Sequence, residues 1–253
     1  MLIAEILMTS VFRYCRYLCA LLLLCGQANA FTIHYDLSRS EALRSCDNQH
    51  YRGHKEQASA CYQDLLEHST GLEQADAAAA LGDIRQANKL YRNEAAKNTD
   101  PAVKTNWAKL YLQTHQTSDA EALFREALLY DESWLPAQIG LAEALSRGFE
   151  GKARELLFRI TAEHPDNVHA LLLLARIELE LQNLSVARGL LNRALAEVEN
   201  QGLPPLEIYA LHAGADLLES KPLTPWIERA LQYNDGYGNV YAIPAHFYII
   251  TYR

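Results

Sequence analysis

The chain has 253 residues, 49% of them apolar, with 23 basic and 31 acidic side chains and a net charge of −8 at pH 7. An acidic total of this size argues against a nucleic-acid partner, which would draw on a basic face. With only 12 glycines and 8 prolines, frequent β-turns and low-complexity linkers are disfavoured, so an almost wholly helical chain is expected.

Residues 1–30 read as a targeting segment. Arg13 and Arg16 precede an apolar run over 17–25, and a polar break leads to Ala28-Asn29-Ala30. A basic start, a short apolar middle and a small-x-small exit are the parts of a secretory signal peptide. The run is far shorter than the roughly 20 residues of a membrane-spanning helix. Cleavage after Ala30 is therefore expected, giving an exported chain 31–253, periplasmic or secreted, with no stable membrane span. Cys25 invites a lipoprotein reading, but Leu24 stands where a small residue is wanted. Met8 offers a second start with the usual short basic head.

Three of the five cysteines lie in this segment, which leaves Cys46 and Cys61. An even pair in an oxidising compartment suggests one disulfide. Helices expected at 38–47 and 54–67 would put the two on one hairpin. The alternative is a pair of buried thiols packing as small hydrophobes.

From there the chain repeats. On the stretch "SDAEALFREALLYDESW" (118–134), Ala120, Leu123, Phe124, Ala127 and Leu128 form one apolar stripe at helical spacing, which a lone helix cannot hide from water. The trio Ala120, Phe124, Ala127 recurs as Ala153, Leu157, Ile160, then Ala187, Leu191, Ala194, then Leu223, Ile227, Ala230, in steps of 33, 34 and 36 residues. Upstream it is preceded by Ala87, Tyr91, Glu94 and by Ala58, Tyr62, Leu65. Each trio marks the second helix of a pair. The first helix carries a small residue after a bulky one: Trp107-Ala108, Leu141-Ala142, Leu174-Ala175 and Pro244-Ala245. Tyr111 and Tyr248 follow three residues on, along the same face. Turns as short as 114–119 and 181–185 within pairs, and 130–136 and 163–167 between them, join antiparallel neighbours.

On these residues the chain resembles the tetratricopeptide repeat family. Residues 101–134 match its pattern through Trp107, Ala108, Tyr111, Ala120, Phe124 and Ala127, with Glu132 in place of the proline. Residues 168–201 match through Leu171, Leu174, Ala175, Ala187, Leu191 and Ala194, and Pro165 ends the preceding unit. The resemblance covers about residues 36–253. It implies an all-α, right-handed superhelical solenoid of about six antiparallel pairs plus an incomplete C-terminal pair, each pair stable only through its neighbours. It also implies a concave face, built from the first helices, that holds an extended segment or helix of a partner protein.

In this family the residue after the small one on the first helix tends to look into the groove. Here that row runs Asp76, Lys109, Glu143, Arg176, His246, with Thr105, Ile139 and Leu172 one turn back as contact area. Mixed charge suits a mixed-charge or largely apolar peptide.

Catalytic and metal signatures are sparse. His50 and His54 stand at i, i+4 but flank the turn Tyr51-Arg52-Gly53 and lack a third ligand nearby. His164 and His169 bracket a helix junction, and Glu178 and Glu180 read as a solvated helix face. There is no HExxH, no Gly-rich phosphate loop with its Lys and no Gly-x-Ser-x-Gly elbow. An exported interaction scaffold without catalysis of its own and without a cofactor is therefore expected. Two rival readings remain. In one, these residues are the front of a larger exported enzyme whose catalytic part lies beyond residue 253. In the other, Tyr237, Tyr241 and Tyr248 form a wall for a carbohydrate or small ligand. The last helix, apolar and lacking its second helix, also suggests self-association.

Overall fold

The computed structural model describes residues 39–148 and 150–251. The targeting segment expected over residues 1–30 lies outside the described residues. Thirteen helices and no strands make up the described residues. In chain order they are α1 (Glu41–Tyr51), α2 (Lys55–His68), α3 (Gly71–Ala80), α4 (Ile84–Ala95), α5 (Pro101–Gln113), α6 (Thr117–Tyr130) and α7 (Leu135–Ser146). Then come α8 (Glu150–Glu163), α9 (Val168–Glu180), α10 (Leu184–Gln201), α11 (Leu206–Leu218), α12 (Thr224–Tyr233) and α13 (Asn239–Thr251). Six pairs, α1–α2 through α11–α12, are followed by a single helix.

Local chemistry starts and stops these helices. Ser40, Asp83, Asp100 and Asn167 accept from the amide groups of Leu43, Gln86, Ala102 and Ala170, so each satisfies a donor that the first turn leaves open. Pro101 adds a residue preset for the first turn of α5. Gly202, at φ +66, ends α10 in the left-handed conformation that favours glycine.

The stripe on α6 is covered as the repeat requires. Ala120, Phe124 and Ala127 are wholly buried, and so are the matching Ala153, Leu157, Ala187, Leu191 and Ala194. Alanines 108, 142 and 175 on the first helices are equally buried, and their small size lets the paired helices approach. Phe124 also reaches the next pair. A Cβ on Gly140 of α7 would lie 2.2 Å from its ring, so that position admits only glycine without a shift.

Curvature follows from which helices touch. Each first helix (α1, α3, α5, α7, α9, α11) contacts the first helix of the next pair, whereas no two second helices make a comparable contact. The first helices therefore line the inner side, and the second helices splay outward. After six pairs, the two ends of the array meet. Asn234, just past α12, donates from Nδ2 to the carbonyl of Tyr51 at 3.0 Å, and the Arg52 guanidinium sits 5.6 Å from the centre of the Tyr233 ring. The turn after α1 and the turn after α12 lie on opposite edges of the array.

Cys46 of α1 and Cys61 of α2 are joined in a disulfide across the first pair, with Cα atoms 5.5 Å apart. The helices run 41–51 and 55–68 instead of 38–47 and 54–67, so His50 lies within α1 and not in the turn.

Candidate functional site

Four residues of the expected row, Asp76, Lys109, Glu143 and Arg176, stand on four successive first helices, α3, α5, α7 and α9, and His246 stands on the single helix α13. On α3, Asp76 is buried and accepts from the Tyr91 hydroxyl at 2.5 Å and from the Asn106 amide at 3.0 Å. Burial pushes its carboxyl above the ordinary range. Arg39, the Tyr91 hydroxyl, Lys109 and Asn106 pull it back. Glu143 behaves alike: burial raises it, while Arg176, Arg147 and Lys109 oppose. Arg176 in turn has Glu207, Glu143 and Glu180 around it and is ion-paired to Glu207 of α11. His246 lies 3.6 Å from Glu180. The alternating signs read from the sequence thus form a ladder in which each charge is flanked by opposite charges from neighbouring pairs.

Thr105, Ile139 and Leu172 are placed differently from the expectation. All three are buried, at 1%, 3% and 2% exposure, and offer no contact area to a partner. Four residues along a helix amount to a rotation of about 40°. That is enough to carry these side chains from the open face into the contact between helices. Thr105 donates to the Pro101 carbonyl at 2.7 Å and accepts from the Trp134 indole at 3.1 Å, which ties α5 to the start of α7.

Two further expectations are corrected. Glu178 is not a solvated acid but fully buried, bound to Arg154 at 2.6 Å and to Asn183 at 2.8 Å. Tyr237 is 3% exposed and cannot join Tyr241 and Tyr248 in an exposed wall. Among the described residues, no group of three His, Cys, Asp or Glu side chains could hold a metal ion, and no helix is long and apolar enough to cross a membrane.

The most informative members of the site are ones the row omitted. Asp47 stands one repeat before Asp76 and accepts from Tyr62 at 2.6 Å, as Asp76 does from Tyr91. Both Asp-Tyr pairs span 15 residues, and the two pairs are 29 apart, a spacing visible in the sequence. Between the two aspartates lies Arg39, 2.9 Å from Asp47 and 3.9 Å from Asp76, with all three side chains almost excluded from water. A residue preceding the first helix therefore closes the N-terminal end of the inner face. Beside it is a cavity of about 40 Å³ lined in part by Arg39, Asp76, Asn106, Lys109 and Gln113. It is large enough for a water molecule.

The array has the tetratricopeptide-repeat fold. Residues 150–203, spanning α8 to α10, match the tetratricopeptide repeat model. The chain is similar in structure to a tetratricopeptide repeat protein from Parabacteroides merdae. The TM-score is 0.55 at 18% identity, over 84% of this chain and 83% of that one. It is also similar to a thermophilic TPR protein of Thermus thermophilus, with a TM-score of 0.60 at 18% identity over 70% of this chain and 97% of that one. No curated protein matches the sequence.

Proposed function

We propose that the protein is an exported scaffold that holds an extended segment or helix of a partner protein against the middle of its inner face, without catalysis of its own. The observation that carries this reading is the charge ladder on the first helices. Lys109 and Glu143 lie between an N-terminal end filled by Arg39 and a C-terminal end where Arg176 is engaged by Glu207. The side chains there alternate in sign, which favours a mixed-charge segment over a uniformly acidic tail. The disulfide between Cys46 and Cys61 supports export, since such bonds persist in oxidising compartments.

The test is capture of a partner from envelope extract, followed by affinity measurements with Lys109→Gln and with Lys89→Gln as a control on the outer helix α4. Lys109→Gln should weaken the complex, more at low salt than at high. Equal affinity for the two variants would reject the inner face. For export, N-terminal sequencing of the mature protein should begin at Phe31, and a retained Met1 or Met8 on a cytoplasmic product would reject it.

A further inference from the structure

The single helix α13 does not sit where a next first helix should. Within the array a new first helix packs against both helices of the preceding pair. In contrast, α13 lies along α11 more extensively than any other first helix lies along the first helix of the preceding pair. It also reaches α9, a full repeat further back, and barely meets α12. A helix that touches α11 and α9 but little of α12 lies on the side of α11 away from α12, which is the inner side. The side chains agree. Val240, Pro244 and Phe247, one face of α13 at i, i+4 and i+7, are buried, while Tyr241, Tyr248 and Ile250 on other faces are exposed. Phe247, 1% exposed, fits over Gly214 of α11, where a Cβ would lie 2.7 Å from its ring. Gly214 follows the small Ala213, so it occupies in the sixth pair the register position held by Arg176 in the fifth. At the one position of that row where the side chain is missing, an aromatic ring from α13 takes its place. His246, next to Phe247, lies against Glu180 of α9.

We infer that the inner face of α9–α11 is a helix-binding groove occupied in cis by α13, and that its preferred ligand is an amphipathic helix. Such a helix would carry an aliphatic residue and an aromatic residue seven positions apart, with a histidine or other cation beside the aromatic. The inference rests on reading the inner face as a binding surface. Because its test uses the chain's own helix as probe, its failure leaves the partner assays above intact. A partner helix of this pattern would compete with α13, whose tether gives it a high effective concentration. The stretch of inner face around Lys109 and Glu143, which α13 does not reach, would then be where a partner first engages.

The test uses the full chain carrying Phe247→Asp, which puts a charge at a buried site and drives α13 out, together with a fluorescein-labelled peptide of residues 239–251. Hydrogen exchange reports whether α7–α11 remain folded. The expected result is retained protection in α7–α11 and saturable peptide binding, competed by unlabelled peptide and at least about tenfold tighter than to the wild-type chain, whose groove is already filled. Adding Gly214→Ala should weaken that binding. Loss of protection across α9–α11 would show that α13 is an integral layer of the fold and overturn the inference. So would a folded variant that does not bind the peptide.

Discussion

Acid should weaken the sixth pair through one side chain, His212 of α11. The ring is 2% exposed, stacked on Trp226 of α12 with centroids 4.3 Å apart and planes within 9°, and neither ring nitrogen has a hydrogen-bond partner in the protein. Burial disfavours the charged ring, and Arg188 of α10 and Arg229 of α12 add to this against the opposing pull of Asp216, so its pKa falls from 6.5 to about 4. A base with a depressed folded-state pKa stabilises the fold above the unfolded-state value and loses that contribution as pH falls. Between about pH 6.5 and pH 4 the unfolded chain takes up a proton that the folded chain refuses. A gap of that size corresponds to roughly 3 kcal/mol at 1.36 kcal/mol per unit. Leucine, the residue at the matching position 174 of α9, removes the titration and keeps an apolar side chain there. Denaturant unfolding of wild type and His212→Leu at pH 7 and pH 4 should show the variant losing less stability, by roughly 3 kcal/mol. Carboxylates elsewhere titrate in both proteins and cancel in the comparison. Equal losses would refute the buried, unpartnered ring.

Arg39→Met should destabilise the N-terminal pairs by about 3–5 kcal/mol, because it leaves Asp47 and Asp76 buried and without their cation. Thermal unfolding would register this, and Asp47→Asn with Asp76→Asn in the same background should recover much of the loss. Gly140→Ala opposes two effects: helix propensity favours alanine by about 1 kcal/mol, while the Phe124 ring 2.2 Å from the new Cβ imposes overpacking of about 1–3 kcal/mol. Net destabilisation is expected in denaturant unfolding, and a more stable variant would contradict the close approach. Replacing Cys46 and Cys61 together by alanine should cost about 3 kcal/mol, the chain-entropy value for their separation of 15. Thiol titration of the denatured, unreduced protein should find neither Cys46 nor Cys61 free.

The repeats were legible because packing dictates them. A helix pair that stacks on both sides needs small residues where axes approach and large ones where they diverge, so Ala120, Phe124 and Ala127 recur in kind at a nearly constant step. Asp76, Lys109, Glu143 and Arg176 share a register that follows from the small residue before each, whereas the same rule carried the row on to His246 of α13, a helix that does not continue that register, and passed over Gly214 of α11. Where prediction failed, the cause lay in angles or in long-range contacts. Thr105, Ile139 and Leu172 differ from the row by a fraction of a turn, and periodicity alone does not say on which side of the seam they fall. Glu178 looks like any helix-surface acid until Arg154, 24 residues away, is found against it. Asp47 carried a readable signal in its 29-residue offset from Asp76, matched by Tyr62 and Tyr91. Arg39 carried none, because it precedes the repeats and acts only through folding. The inward placement of α13 was equally hidden: its sequence shows apolar faces, while Gly214 and Glu180, which receive it, lie on two other helices.

A photo-crosslinking residue placed singly at Gln113 on the inner side of α5, and at Arg125 on the outer helix α6, tests most directly whether the inner face does the binding. In intact cells of the native host, Gln113 should yield a discrete adduct with one partner protein and Arg125 none. Adducts at Arg125 with none at Gln113 would place the interaction on the outer helices and contradict a groove-bound partner.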